Sequence, residues 1–524
     1  MNDKILNWVF VGQLILFCLI VTGILPRSIV PYLAMALAMY VLFASLEDAT
    51  VFFVRSIPFF LAIPITMTFD NFNTWRILSG IIFLKFLISK SEFLNNFKIR
   101  IPKPKTSIVL GGFLLLAILS VIPAPDKMLA VKRVIYFLNL SLIGFVIYDL
   151  AKNTEFAKRL IKNISIPVII VTLVGFAQLF STYLMDIYQF MDFWAGKVQF
   201  NQFGADWSYI VYNLGNTWYA YYGEQISLRM FSLFPDSHSF PQFILLGLPA
   251  IFAIALTKFE GVNLNLKKLY RTRTGLIIIF VPIIFLAAIL SGTRGIWAAS
   301  LGVVGFGLVL MKMFKKVQIE EKRRIIFKYL LSYLVLFFLL FSIALPLTAS
   351  PQFQLYKMDS ELLAKRVSSI INFGETSNKE RIRIWKLSFE SIKNNPFLGV
   401  GIGNFPLVLN QDLALAKAGS SAHNIYLQVA AEMGIPALFF AVWFLWLLMQ
   451  KMYNNFVASK DWGVTVYNAG ALIFIPWVLI YCLTDVALFD ERAFLLFVAT
   501  ISLILATKNP DNAGQLESQQ NFHL

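Results

Sequence analysis

Apolar runs of roughly 17 to 22 residues recur along almost the whole chain, and that is the length a helix needs to cross a hydrocarbon core. They fall at about 6–25, 29–46, 51–68, 75–89, 108–123, 134–150, 165–182, 239–257, 275–291, 295–313, 327–347, 435–450, 464–484 and 493–507. The chain is 58% hydrophobic and 14% charged. A soluble domain is about half apolar and about a quarter charged. The expected fold is all-α: a polytopic transmembrane helical bundle of about 12–14 spans with a large extracytoplasmic helical loop. The first run is followed by Pro26-Arg27 and not by a small-residue cleavage site, so it reads as a span and not a signal peptide. Cys18 and Cys482 both fall inside runs and form no disulfide framework.

Lys and Arg mark the cytoplasmic side. Lys90 to Lys105, Lys152 to Lys162, Lys267 to Arg273 and Lys315 to Arg324 supply four basic loops, all on one side if the spans alternate. That side and both termini are read as cytoplasmic. The net charge of +16 is largely this topology signal and needs no nucleic-acid partner. Glu47 and Asp48 run against the pattern. The expected organisation is N-terminal helices over 1–182, a first outer loop over 183–238 and central helices over 239–347. A large outer loop follows over 348–434, then C-terminal helices over 435–507 and a polar, disordered tail over 508–524.

The large loop carries the chemistry. Ser377-Asn-Lys-Glu380 is a capping-box pattern, so a helix is expected to start there and to stop at Asn394-Asn395-Pro396. Ile382, Trp385, Phe389 and Ile392 give it an apolar stripe suited to the membrane surface or the bundle. Arg381 and Trp385 share a face; Arg383 points elsewhere. Gly399, Gly401 and Gly403 precede Asn404 and Phe405, so the backbone there can turn tightly or approach a ligand. His423-Asn424 follows, then Glu432 and Gly434. Imidazole titrates near neutrality and can take a proton from a hydroxyl, although a lone histidine is more often structural.

Ser291-Gly-Thr-Arg294-Gly295 is a short outer turn. Its arginine either snorkels or offers a planar fork to a phosphate. The first outer loop holds Trp194, Trp207, Tyr209, Tyr212, Trp218, Tyr219, Tyr221 and Tyr222. They read as an interfacial aromatic belt, with sugar stacking as the alternative. That loop ends on Arg229 and Asp236-Ser-His238, too few ligands to argue a metal. Asp485, Asp490, Glu491 and Arg492 form an acidic rim.

The set resembles the bacterial O-antigen ligase and polymerase superfamily. The matching motifs are Ser291 to Gly295, Arg381 with Trp385, Pro396 to Phe405, and His423-Asn424 with Glu432 and Gly434. Arg229 to Pro241 matches more loosely, because the family often has an Asn where this chain has Asp236. The resemblance implies an inverting, metal-independent glycosyltransferase without cofactor. It would act at the outer face of the cytoplasmic membrane on an undecaprenyl-diphosphate-linked glycan. The acceptor hydroxyl would lie on a glycan, a lipid core or a protein. His423, Arg294 and Arg381 would be catalytic. Gly401, Gly403, Asn404, Asn424, Glu432, Arg229 and Trp385 would bind substrate. The competing reading is a lipid-linked oligosaccharide flippase, but such a protein keeps its charges inside the bundle and its loops short.

Overall fold

The computed structural model describes residues 3–66, 69–91, 104–214, 218–222, 225–257, 273–316, 321–348, 352, 376–411 and 420–507. The N-terminal part runs α1 (Asp3–Val21), α2 (Val30–Phe43), α3 (Leu46–Ser56), a strand pair β1 (Ala62–Ile63) and β2 (Phe72–Asn73), α4 (Thr74–Ser91), α5 (Pro104–Leu119), α6 (Lys127–Leu150) and α7 (Thr154–Ser181). The next segment folds as α8 (Ile187–Phe193), a π-helical turn, α9 (Phe200–Phe203), α10 (Ala205–Leu214) and a hairpin of β3 (Tyr219–Tyr222) and β4 (Gln225–Leu228). Then come α11 (Ser239–Thr257), α12 (Arg273–Leu290), α13 (Arg294–Lys316), α14 (Glu321–Thr348), α15 (Thr376–Asn394), α16 (Ile425–Ala458), α17 (Trp462–Tyr481) and α18 (Glu491–Ala506). Among the described residues seven helices are long and apolar enough to cross a membrane, and four shorter apolar helices accompany them. The molecule is a multi-pass helical membrane protein.

α11 and α17 pack on each other and are almost wholly buried, so the other helices wrap around that pair. One expected span departs from plan. The run 51–68 is helical only to Ser56; a 3-10 turn over Ile57–Phe59 and strand β1 complete it. Pro58 lacks the N–H that would continue the α-helical ladder, and the backbone turns extended at Phe60. Extended backbone at this depth must find partners inside the protein. Arg492 donates to the Phe60 carbonyl at 3.2 Å, the Thr74 hydroxyl to Leu61 at 2.7 Å, and Arg27 to Ala62 at 3.3 Å.

The expected basic end is held by ion pairs. Asp149 meets Lys90 and Lys152, Asp461 meets Lys158, and Arg159 meets both Asp3 and Asp48. The acidic exception at Glu47-Asp48 is thereby explained in part: Asp48 is a partner of the basic end and not a breach of its pattern. The opposite end gathers the C-termini of α7, α12 and α17 with the N-termini of α11, α13, α16 and α18. The loop 258–272, the stretch 353–375 and the tail from 508 lie outside the described residues.

Candidate functional site

α16 begins at a well-tied point. Asn424 is its N-cap, accepting from the Tyr426 and Leu427 N–H groups at 2.9 and 3.1 Å. These satisfy two of the donors that a helix start leaves orphaned. Ile425 N–H donates to the Cys482 carbonyl and the Tyr426 hydroxyl to Leu479, each at 2.9 Å, which pins this start against the end of α17. His423 immediately precedes the cap with φ +46°, a left-handed conformation that histidine tolerates better than most residues. The Trp385 indole donates to the Ala422 carbonyl at 3.0 Å, and Ala422 N–H donates to Gln428 at 2.8 Å. His423 is thus fixed from both sides, with its ring half-buried.

Past the end of α17, Asp485 divides its two oxygens. Oδ1 accepts from the Ala487 N–H at 2.9 Å. Oδ2 lies 3.3 Å from His238 Nδ1 and 3.8 Å from His423 Nδ1. His238 stands just before α11, where Asp236 accepts from the His238 and Ser239 N–H groups. Its Nδ1 is also 2.7 Å from the Tyr481 hydroxyl, and its Nε2 is 3.4 Å from Arg229 Nη2. A guanidinium can only donate, so these partners assign the proton of His238 to Nδ1 and the lone pair to Nε2. Among the described residues His423 Nδ1 has no hydrogen-bond partner, since 3.8 Å is beyond that reach.

The charges follow from these neighbours. Burial pushes the His238 ring down to about 4, with Arg229 and Arg381 acting the same way against Asp485 and Asp236. Burial alone would raise Asp485; His238, His423 and Arg381 outweigh it and hold the carboxyl well below the usual range. A neutral His238 and an ionised Asp485 result. Asp490, the N-cap of α18, is pushed up to about 7 by burial and by Asp236.

Three chain-distant arginines converge here. Arg229 touches His238 directly. Arg381 acts electrostatically on His238 and Asp485. Arg294 opens α13, and its turn is docked on the same elements: the Thr293 hydroxyl donates to the Ser237 carbonyl at 2.8 Å, and Gly295 lies against Thr484 and Tyr481. Helix α15 starts one residue before the expected Ser377 and ends at the expected Asn394. Its buried face differs from the expected stripe. Ile384, Ser388 and Ile392 are buried while Phe389 is 60% exposed. Packing on Phe405, Val408, Ala430 and Ala431 sets that rotation. Arg383 is exposed and pairs with Glu380.

The glycine segment makes internal contacts. α16 breaks at Gly434, where φ is +87°. Val400 and Gly401 N–H groups donate to the Ala431 and Glu432 carbonyls at 2.9 Å, and Ile435 N–H donates to Pro396 at 2.8 Å. A methyl group on Gly399 or Gly434 would overlap the facing backbone. Gly401 lies against Ala124, and Gly403 against Arg133 and Leu129. Asn404 is fully buried and bonds Asp126 and Ile402. Glu432 accepts from Gln428 at 2.7 Å and from Phe405 N–H at 3.3 Å.

The first outer loop shows the expected aromatic belt only in part, and the side chains of Tyr221 and Tyr222 lie outside the described residues. Trp194, Trp218 and Tyr219 are buried, with Trp218 stacked on Phe231 at 3.9 Å and donating to the Pro235 carbonyl. Trp207 bonds Gln199, and Tyr209 and Tyr212 are exposed. Indoles with internal partners gain more from the core than from the interface.

The structure therefore brings together His423, Arg229, Arg381 and the Arg294 turn, held by Asn424 and Trp385. It places Gly401, Gly403, Asn404 and Glu432 in a separate joint. Sequence reasoning missed Asp485 as the residue between the histidines, and it discounted His238. The available signal was position: Asp485 follows a span on the side where the H-N loop lies. Among the described residues no three His, Cys, Asp or Glu side chains are grouped to hold a metal. An imidazole backed by a carboxylate and ringed by arginines is equipped to take a proton beside a developing anion. A comparison with curated proteins finds no match. Residues 278–442 match the family model described as O-antigen ligase, which supports the resemblance read from the motifs.

Proposed function

We propose that the chain is an inverting, metal-independent glycosyltransferase. In this reading it moves a glycan from an undecaprenyl-diphosphate carrier to an acceptor hydroxyl at the outer face of the cytoplasmic membrane. The observation that carries the reading is the meeting of His423 with Asp485 among Arg229, Arg381 and the Arg294 turn. His423 Nε2, the ring nitrogen turned away from Asp485, takes the acceptor's hydroxyl proton. The acceptor oxygen bonds the anomeric carbon as the bond to the phosphate oxygen breaks on the opposite face. The diphosphate leaves with the electron pair, and Arg294 and Arg381 balance its charge. A diphosphate is a good leaving group and needs no general acid. Asp485 stabilises the imidazolium that forms, and Arg229 with His238 holds Asp485 in place. Gln428, held by Glu432, supports the position of His423 through Ala422.

The test is transfer of a labelled glycan from undecaprenyl diphosphate in proteoliposomes, with chelator present throughout. Wild type should form product, and His423→Ala, Arg294→Ala and Arg381→Ala should each lose about 10²-fold or more of the rate. The labelled product identifies the acceptor. If wild type forms no product but moves the lipid-linked glycan across the bilayer, the flippase reading replaces this one.

A further inference from the structure

Helix α15 carries four different surfaces around its axis. Two turns of a helix take about seven residues, so residues seven apart return to nearly the same side. Ile384, Ser388 and Ile392 are buried against the bundle. Going round from them, Trp385 comes next, then Ile382 and Phe389, which are seven apart; Ile382 is half-buried and Phe389 exposed. Lys379, Lys386 and Lys393 follow as a second line, again seven apart and all exposed. Along the helix these lysines cover about 21 Å. Glu390, Arg383 and Glu380 occupy the remaining side, where Arg383 pairs with Glu380 at 3.3 Å. The order is packed, apolar, basic and then mixed in charge.

A helix whose free side met only water would have no use for this order. An apolar line bordered by lysines, with the carboxylates beyond them, fits a boundary of acyl chains, headgroups and water. The neighbouring helix shows where that boundary runs. Ile435, Phe439, Val442 and Trp446 form an exposed row down α16, which is long and apolar enough to cross a membrane. Ile435 N–H donates to the Pro396 carbonyl at 2.8 Å, and Phe397 is 75% exposed. Phe397 therefore stands at the upper end of the α16 row, just past the end of α15. The apolar line of α15 leads to the same place: seven residues beyond Phe389 comes Pro396, next to Phe397. An upright helix would bring one of the three lysines to headgroup level, whereas a helix lying flat brings all of them.

We propose that α15 lies flat on the bilayer at the site end of the bundle. Ile382, Phe389 and Phe397 enter the acyl region, and Lys379, Lys386 and Lys393 sit at the level of anionic headgroups. One face of the helix takes the bundle and the flank beside it takes the lipid, so the two surroundings expected for its apolar stripe are both met. Arg381, one turn before Trp385, is thereby kept at the membrane surface. The inference goes beyond the transfer reading and does not rest on it.

The full chain carrying Cys18→Ser is reconstituted in vesicles of phosphatidylcholine and phosphatidylglycerol; Cys482 is buried and stays. A nitroxide is attached in turn to Phe389→Cys, Phe397→Cys and Glu390→Cys. Its collisions with oxygen, which concentrates among acyl chains, are compared with those with a water-soluble nickel chelate. The oxygen-to-nickel ratio at Phe389→Cys and Phe397→Cys should exceed that at Glu390→Cys by about threefold or more. In phosphatidylcholine alone, or with Lys379→Gln/Lys386→Gln/Lys393→Gln added, the ratio at Phe389→Cys should fall by about twofold or more. Ile382→Cys reads the same line if Phe389→Cys does not fold. A Phe389→Cys ratio equal to that at Glu390→Cys overturns the proposal. A label shielded from both reagents overturns the membrane as occupant, since a protein surface then covers the flank. A ratio that ignores lipid charge overturns the part assigned to the lysines. No donor or acceptor enters this experiment, so its failure leaves the transfer assay as the separate test of the His423 mechanism.

Discussion

The histidine–aspartate cluster and the glycine joint are built from the same kinds of residue and end in opposite states. At the joint the donors and acceptors close on one another: Asn404 on Asp126, Glu432 on Gln428 and Phe405, the loop N–H groups on the carbonyls freed at Gly434. At the cluster polar capacity is left over. Among the described residues His423 Nδ1 has no hydrogen-bond partner, its ring is half-exposed, and Asp485 points one oxygen at two imidazoles. A glycine-rich turn beside a carboxylate looks like a ligand cradle in the sequence. What separates a cradle from a hinge-like joint is whether its hydrogen bonds are already spent.

Asp485→Asn tests the cluster with the largest expected effect. The amide oxygen can still accept from Ala487 N–H, so the turn survives while the charge facing both histidines is lost. Glycan transfer should fall by about 10²–10⁴-fold with little change in melting temperature. Gly434→Ala should do the reverse. It places a methyl group on the Phe397 carbonyl at a positive φ, and should cost on the order of 3 kcal/mol of stability. Enzyme that remains folded should turn over normally per molecule. A Gly434→Ala protein that melts like wild type but does not transfer glycan would erase the distinction between the two regions.

That distinction was only partly legible in the sequence. Apolar length alone located most helices, because backbone satisfaction in a bilayer leaves few choices. It failed at 51–68, where Pro58 stops the helix and distant side chains, Arg27 and Arg492, serve the exposed carbonyls. The capping box located α15 to within one residue, yet its buried face was set by Phe405 and Ala431, which no stripe within the helix can announce. His423, Arg381 and Arg294 could be picked out because each is a charged or titratable group in a segment expected to face outward and belongs to a motif that carries the resemblance. Asp485 could not be tied to His423 across 62 residues without the Ile425–Cys482 bond that sets the two loops side by side.

Trp385→Phe sharpens the comparison at a smaller scale. The indole N–H holds the Ala422 carbonyl next to His423. Its loss should cost about 1 kcal/mol and lower kcat with little change in KM. Phenylalanine keeps an aromatic face, so an indole that only stacked on sugar would leave both constants nearly intact. A rise in KM alone would move Trp385 from the scaffold of the cluster to the substrate.

The smallest effect is the pH dependence of His238, and its sign separates a tuned cluster from inert packing. Within the fold His238 stays neutral down to about 4, while the unfolded chain protonates it near its ordinary value of 6.5. Between those values the unfolded state holds more protons, so the contribution is full above about 6.5 and is lost as pH falls toward 4. Asp490 works in the opposite sense. Its carboxyl is raised to about 7, so its contribution is full below the unfolded value of 3.8 and is lost as pH rises through about 7. Wild type therefore shows a muted net slope. His238→Gln removes the first contribution and keeps the second, with a side-chain oxygen still available to Arg229. The stability difference between wild type and His238→Gln should shrink by about 0.7 kcal/mol from pH 7 to pH 6, read as melting temperature in detergent. Asp485 titrates below this window, so it adds no slope of its own. A difference that stays constant across that range would mean that His238 is not held neutral between Arg229 and Asp485, and that the cluster is as closed as the glycine joint.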